Sequence, residues 1–154
     1  MKVAIVNGPN INMQGFREEK YYGTMTYDQL VHGVKDYAKT NKITMTWFQS
    51  NHEGELIDFL QGCKDKAYDG IIINAAAYSH TSIALLDTLL ALNLPTIEVH
   101  LSDINNRENY RKVSYLRHAC FALYHGEGIL SYFKALNELK RKIEDDSDST
   151  ENLK

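Results

Sequence analysis

Polar and ionisable side chains in this chain collect in four clusters, each just after a short apolar run. Asn7, Gly8, Pro9 and Asn10 follow the run at 3–6, with Arg17, Tyr21 and Tyr22 further along the same stretch. Asn51 and His52 follow the run at 43–49, and Asn74, Ser79, His80 and Thr81 follow that at 70–73. His100, Ser102, Asp103, Arg107 and Arg111 follow the run at 96–99. Guanidinium groups grip carboxylates, and amides both donate and accept, so Arg and Asn suit an anionic ligand with many hydroxyls. His and Tyr are candidate proton carriers. Each item alone has a plainer reading. Asn7 and Asn10 flank a turn-forming Gly-Pro. His52 follows a helix cap, and His80 opens a helix. His100 could be satisfied within a sheet. Arg107 and Arg111, four apart on a candidate helix, could face water, with Glu108 pairing locally. Tyr21 and Tyr22 could pack a loop in a chain with 10 tyrosines. Convergence of all four clusters on one edge is the more specific signal.

That convergence requires a particular set of elements. Strand-like runs alternate with amphipathic patterns, the signature of an α/β domain with a parallel sheet. Thr26 and Gln29 predict a capping box for a helix over 27–40, with Leu30, Val34 and Tyr37 or Ala38 inward. Ser50 and Glu53 predict a second box before Leu56, Ile57 and Leu60. The run at 70–73 reads as a strand buried on both faces. The helix over 82–92 is apolar nearly all round, which points to a subunit interface. A fifth strand is expected over 119–124 and a last helix over 129–143. Residues 144–154 are acidic and Ser-rich and predict a disordered tail after a single domain over 1–143. Five strands suggest a flavodoxin-like parallel sheet with helices on both faces, which places ligands at the carboxyl ends of the strands.

Composition excludes several other classes. With 154 residues and 44% hydrophobic content, the chain reads as an ordinary globular domain. A net charge of −3 argues against a general nucleic-acid or anionic-membrane surface. No apolar run approaches the roughly 20 residues of a membrane span. No export signal is visible, so a cytoplasmic location is expected. Cys63 and Cys120 form no CxxC pair and read as reduced thiols. The histidines lack HExxH-type spacing, so no metal is expected. There is no phosphate-binding Gly-rich loop and no GxSxG elbow, so neither a nucleotide cofactor nor an acyl-serine chemistry is indicated.

The residues from Asn7 to Asn12, with Gly15, Arg17-Glu18 and Tyr22-Gly23, resemble the N-terminal signature of type II 3-dehydroquinate dehydratases. The segment from Phe48 to Leu56, that from Asn74 to Ser82, and Glu98 to Ser102 with Arg107-Glu108 and Arg111 are similar to the family's later blocks. Three positions depart from its usual pattern. Glu19 stands where proline is usual, the Ala75-Ala76-Ala77 stretch lacks the usual glycine, and Ser131 replaces a glycine.

The resemblance implies a flavodoxin-like fold and a hydro-lyase without metal or cofactor. It implies Tyr22 as the base that removes the C2 proton of 3-dehydroquinate, assisted by Arg17. Asn10 would stabilise the enolate, and His100, oriented by Glu98, would protonate the leaving C1 hydroxyl in an anti elimination. Leu101 and Ser102 would bind the carboxylate. Asn74, His80 and Arg111 would hold ring hydroxyls, and Arg107 would support the lid. The resemblance also implies that Asp87 reaches a neighbouring subunit's site, in trimers that build a dodecamer. The residues themselves leave open a non-enzymatic flavodoxin-like module for an anionic polyol, or a purely structural domain. The joint presence of Arg17, Tyr22 and His100 favours the enzyme.

Overall fold

Residues 1–151 are described in the computed structural model of the chain. Strands β1 (Lys2–Asn7), β2 (Thr44–Gln49), β3 (Gly70–Asn74), β4 (Thr96–His100) and β5 (Ala122–His125) form one sheet in the order β2-β1-β3-β4-β5. Every neighbouring pair is parallel. Parallel pairing demands a crossover between strands. Helices α2 (Tyr27–Thr40), α3 (Glu53–Asp65) and α4 (Ile83–Leu92) make three of them. The fourth, from β4 to β5, runs through 3-10 turns at Ile104–Asn106, Asn109–Arg111 and Leu116–Ala119. A one-turn helix, α1 (Glu19–Tyr22), interrupts the first loop, and α5 (Ile129–Glu151) follows β5.

Side-chain alternation along the strands divides the core in two. Val3, Ile5, Ile72, Ile97 and Val99 meet Leu30 and Val34 of α2 and Tyr132, Leu136 and Leu139 of α5. Ala4, Val6, Ile71 and Ile73 meet Leu56 and Leu60 of α3 and Leu85 and Leu89 of α4. Helices therefore cover both faces, as a flavodoxin-like fold requires. The chain reverses its direction across the sheet at β1 and β3, so the loops after these strands diverge and leave a crevice at their carboxyl ends.

Local expectations meet the structure unevenly. The Thr26–Gln29 box forms, with Thr26 N–H donating to Gln29 Oε1 at 3.0 Å and Gln29 N–H donating to Thr26 Oγ1 at 3.2 Å. The Ser50–Glu53 box does not form, because His52 takes the N-cap position of α3. Tertiary partners claim both members instead: Ser50 donates to Glu55, and Glu53 accepts from the Ser82 hydroxyl. Ser82 Oγ in turn caps α4 by accepting from Leu85 N–H at 2.9 Å.

The fifth strand starts later than expected. Residues 116–119 close a 3-10 turn, and the ladder begins where Phe121 N–H donates to Thr96 O at 3.0 Å. Residues 144–151, expected to be a disordered tail, continue α5. Lys142 pairs with Asp146 at 2.7 Å and Arg141 with Asp145 at 3.8 Å. The hydroxyls of Ser147 and Ser149 donate to carbonyls one turn back. One-turn spacing of opposite charges thus supports the helix where no apolar stripe does. The remaining tail residues, 152–154, lie outside the described residues. Helix α4 turns Leu85, Leu89 and Leu92 inward but leaves Ile83 and Leu90 about half exposed. Among the described residues, no helix is long and apolar enough to cross a membrane.

Candidate active site

The crevice at the carboxyl ends of β1, β3 and β4 is a cleft with a cavity volume of about 90 Å³. Backbone close to the ligand space is held tightly. Gly8 N–H donates to Asn74 O at 2.8 Å, and a Cβ on Gly8 would lie 2.3 Å from Ala75 O. Only glycine permits that approach of the β1 and β3 loops. Asn10 sits in the left-handed region with φ 66°, its N–H donating to Asn51 Oδ1 at 3.0 Å. Ala76 is also left-handed, with φ 51°. The left-handed region disfavours a side chain with a Cβ, so alanine here carries backbone strain.

The first loop folds over the cleft. Glu19 occupies the first position of α1, a place where proline is also well accommodated, and its charge suits the helix N-terminus. Gly23, with φ 69°, terminates the turn directly after Tyr22. The Tyr22 hydroxyl accepts from two guanidiniums, Arg17 Nη2 at 2.7 Å and Arg107 Nη1 at 2.6 Å. The Arg17 guanidinium also lies 3.6 Å from the Tyr22 ring centre, and that of Arg107 lies 4.1 Å from the Tyr21 ring. Burial pulls the Arg17 guanidinium down in pKa, with the Tyr22 oxygen and Glu18 opposing. Burial also acts against Arg107, but Tyr22, Glu108 and Tyr21 together outweigh it and the value rises. Arg107 and Arg111 do not share a helix. Arg107 precedes the 3-10 turn that Arg111 ends, and both approach one Glu108 oxygen, at 3.5 and 3.2 Å.

Across the cleft, β4 carries Glu98 and His100 on the same face, as a two-residue spacing dictates. His100 Nε2–H donates to Glu98 Oε1 at 2.7 Å, so Nδ1 is the ring nitrogen left for the cleft. Glu98 is fully buried. Burial acts to raise its pKa, yet the hydrogen bonds and charges of His100, Ser114 and Arg117 outweigh it and hold the carboxyl below the usual range. The His80 ring lies parallel to that of His100 with centres 6.1 Å apart, and its Nδ1–H donates to Val113 O at 2.5 Å. Burial, with the charges of His100 and Arg111, lowers the His80 pKa against the raising effect of Val113. A neutral His80 with its proton on Nδ1 leaves Nε2 as an acceptor.

Leu101 and Ser102 continue β4 into the cleft. Their carbonyls accept from Gly128 and Gly126 N–H at 3.1 Å each. Because C=O and N–H of one peptide point oppositely, the Ser102 N–H is directed away from Gly128. Arg107 Nη1 stands 3.5 Å from the Ser102 hydroxyl. Asn74 is buried and donates to the Tyr132 hydroxyl at 2.8 Å, which donates on to Asn7 Oδ1 at 2.6 Å.

Asn10, Arg17, Tyr22, Asn74, His80, His100, Leu101, Ser102, Arg107 and Arg111 all line this one cleft. Glu98 stands behind His100. Asp87 does not reach the cleft of its own chain; it lies exposed on the outer side of α4. Sequence reasoning missed Tyr132, Ser114 and Arg117. All three act through contacts distant in sequence, and none carries a local signal. Among the described residues no group of three His, Cys, Asp or Glu side chains has the geometry to hold a metal ion. The arrangement can bind an anion, hold an anionic phenol oxygen and deliver a proton from an imidazole on the facing wall.

Residues 1–140 match the family model described as dehydroquinase class II. The chain is similar to a 3-dehydroquinate dehydratase of Fusobacterium nucleatum, with 46% identity covering 88% of this chain and 94% of the relative. It is similar to one of Clostridium perfringens, with 43% identity covering 93% and 99%. Among solved structures it resembles a type II dehydroquinase from Butyrivibrio crossotus, with TM-score 0.89, 39% identity and coverage of 91% and 97%.

Proposed function

Since this chain belongs to the class II dehydroquinase family, we propose that it converts 3-dehydroquinate to 3-dehydroshikimate by removing water through an enolate. The observation that carries the mechanism is the Tyr22 oxygen held between Arg17 and Arg107 at 2.7 and 2.6 Å. Both guanidiniums donate charge-assisted hydrogen bonds to that oxygen and aim it into the cleft as the base. That oxygen takes the proton from C2, and the electron pair moves onto the neighbouring ketone oxygen as an enolate. Asn10, held in a left-handed turn at the cleft wall, stabilises the enolate directly or through a water. Collapse of the enolate expels the C1 hydroxyl, which takes a proton from His100 Nδ1 and leaves as water. The anionic Glu98 stabilises the imidazolium that must precede this step. Loss of the two groups from opposite faces is an anti elimination, which suits a base on the lid and an acid on the sheet.

Binding roles follow the same geometry. The Ser102 hydroxyl and the Leu101–Ser102 backbone hold the substrate carboxylate. Asn74, His80 and Arg111 hold ring hydroxyls, and Arg107 serves both the lid and Tyr22. Asp87, on the outer side of α4, reaches the cleft of a neighbouring copy in a trimeric assembly. The half-exposed Ile83 and Leu90 beside it provide apolar surface for that contact.

The purified chain is mixed with 3-dehydroquinate and the near-ultraviolet absorbance of the conjugated enone acid is followed. Steady growth that Tyr22→Phe and His100→Ala each abolish supports the proposal. Absence of product from the wild-type chain overturns it. Full turnover by either variant overturns that residue's role.

A further inference from the structure

A buried carboxylate behind a catalytic imidazole must be kept both ionised and aimed. Glu98 is 0% exposed, and its two oxygens are served unequally. Oε1 accepts from His100 Nε2 at 2.7 Å and from Ser114 Oγ at 2.6 Å. Oε2 is buried with no hydrogen-bond partner. Its cationic neighbour is Arg117, whose Nε stands 3.9 Å away. The other ionisable groups facing this carboxylate are His80, stacked on the His100 ring, and the Cys120 thiol. Burial and the Glu98 charge push that thiol up to about 12, so it stays neutral.

Ser114 is fixed from both sides. Val113 O accepts from His80 at 2.5 Å, and Tyr115 N–H donates to Ser79 O at 2.9 Å. The hydroxyl is therefore delivered by a segment clamped to the loop after β3, and it does not depend on the flexibility of its own loop. Arg117 comes from the following 3-10 turn, half exposed, with its guanidinium at the buried oxygen.

We propose that Ser114 and Arg117 are positioning residues for the dehydration: together they hold Glu98 as an oriented anion, and through it they keep His100 Nε2–H bound and Nδ1 aimed into the cleft. Neither touches the substrate. The proposal rests on the assignment of His100 as the acid. Without Arg117, the buried Oε2 loses its compensating charge and Glu98 takes up a proton more readily. A protonated Glu98 no longer stabilises the imidazolium. Without Ser114, Oε1 keeps only the His100 contact, and the carboxylate can rotate away from the ring.

The test is the pH profile of kcat for wild type, Arg117→Gln, Arg117→Lys and Ser114→Ala. Arg117→Gln should move the acid limb of kcat to higher pH while KM stays near wild type, and Arg117→Lys should restore it. Ser114→Ala should lower kcat about tenfold at neutral pH, the effect of losing one charge-assisted hydrogen bond. In a Glu98→Gln background, Arg117→Gln should add nothing further, since the charge it serves is gone. An unmoved acid limb in Arg117→Gln, or an equal effect of that change with and without Glu98, overturns the proposal while leaving His100 as the acid. Unaltered turnover by His100→Ala would instead remove the assignment on which it rests. Should Ser114→Ala fail to fold, Ser114→Thr, which keeps the hydroxyl, should retain wild-type kcat; a Thr variant that folds but loses kcat tenfold overturns the role of the hydroxyl.

Discussion

Replacing Arg107 with methionine keeps much of its apolar stem and removes the guanidinium from the Tyr22 oxygen. That oxygen receives Arg107 at 2.6 Å and Arg17 at 2.7 Å. A hydrogen bond from a charged donor contributes about 1.5–3 kcal/mol. Since about 1.4 kcal/mol is tenfold in rate, Arg107→Met or Arg17→Met alone should lower kcat roughly 10- to 100-fold. Each single variant leaves one cation in place, so neither should match Tyr22→Phe, which removes the base and should cost about 10²–10⁴-fold. The double arginine variant should approach Tyr22→Phe. Adding Arg107→Met to Tyr22→Phe should change kcat little, because the oxygen it serves is already absent. Tyr21→Phe is the control. Its ring lies 4.1 Å from the Arg107 guanidinium, and phenylalanine keeps that stacking. The assay is the initial rate of near-ultraviolet absorbance growth over a range of 3-dehydroquinate concentrations. If Arg107→Met raises KM and leaves kcat intact, the guanidinium grips substrate and does not activate the phenol. If Arg107→Met costs as much in the Tyr22→Phe background as alone, the coupling through Tyr22 is refuted.

Ala76→Gly should stabilise the protein by up to about 1 kcal/mol, because φ 51° strains alanine more than the extra freedom of unfolded glycine costs; a lower urea midpoint for the variant would contradict this. Tyr132→Phe should cost about 1–3 kcal/mol by stranding the buried Asn7 and Asn74 amides, read as a lower urea midpoint with unchanged slope. Glu98 is held below its ordinary carboxyl pKa of 4.5, so it contributes stability above that pH and loses it as pH falls through the folded value. The stability advantage of wild type over Glu98→Gln should therefore shrink between neutral pH and the region below 4.5, and an advantage that grows on acidification would reverse the assigned sign.

What the chain reveals by itself is whatever depends on neighbours in sequence. Strands β1 and β3 are legible because burial on both faces leaves them without polar alternation. The Thr26–Gln29 box forms because both partners lie within one turn and nothing else competes for them. The clusters after β1, β3 and β4 could be assigned to one cleft because a parallel sheet with alternating helices puts every strand's carboxyl end on the same edge. The same local logic failed at Ser50 and Glu53, where Glu55 and Ser82 offered tertiary partners that the pattern could not anticipate. It also failed after Glu144, where charge pairs one turn apart prolong a helix without an apolar face.

Tertiary structure alone decided which groups tune the chemistry. Arg107 reaches Tyr22 across 85 residues, Tyr132 reaches Asn7 across 125, and Ser114 reaches Glu98 across 16. Sequence assigned proton carriers to the cleft, because residue type and strand-end position are local properties. Only the folded chain could assign two cations to one phenol oxygen and a hydroxyl and a guanidinium to one buried carboxylate. Charge interactions and desolvation depend on distance in space and on burial, and neither quantity exists until the loops after β1, β3 and β4 have closed on one another.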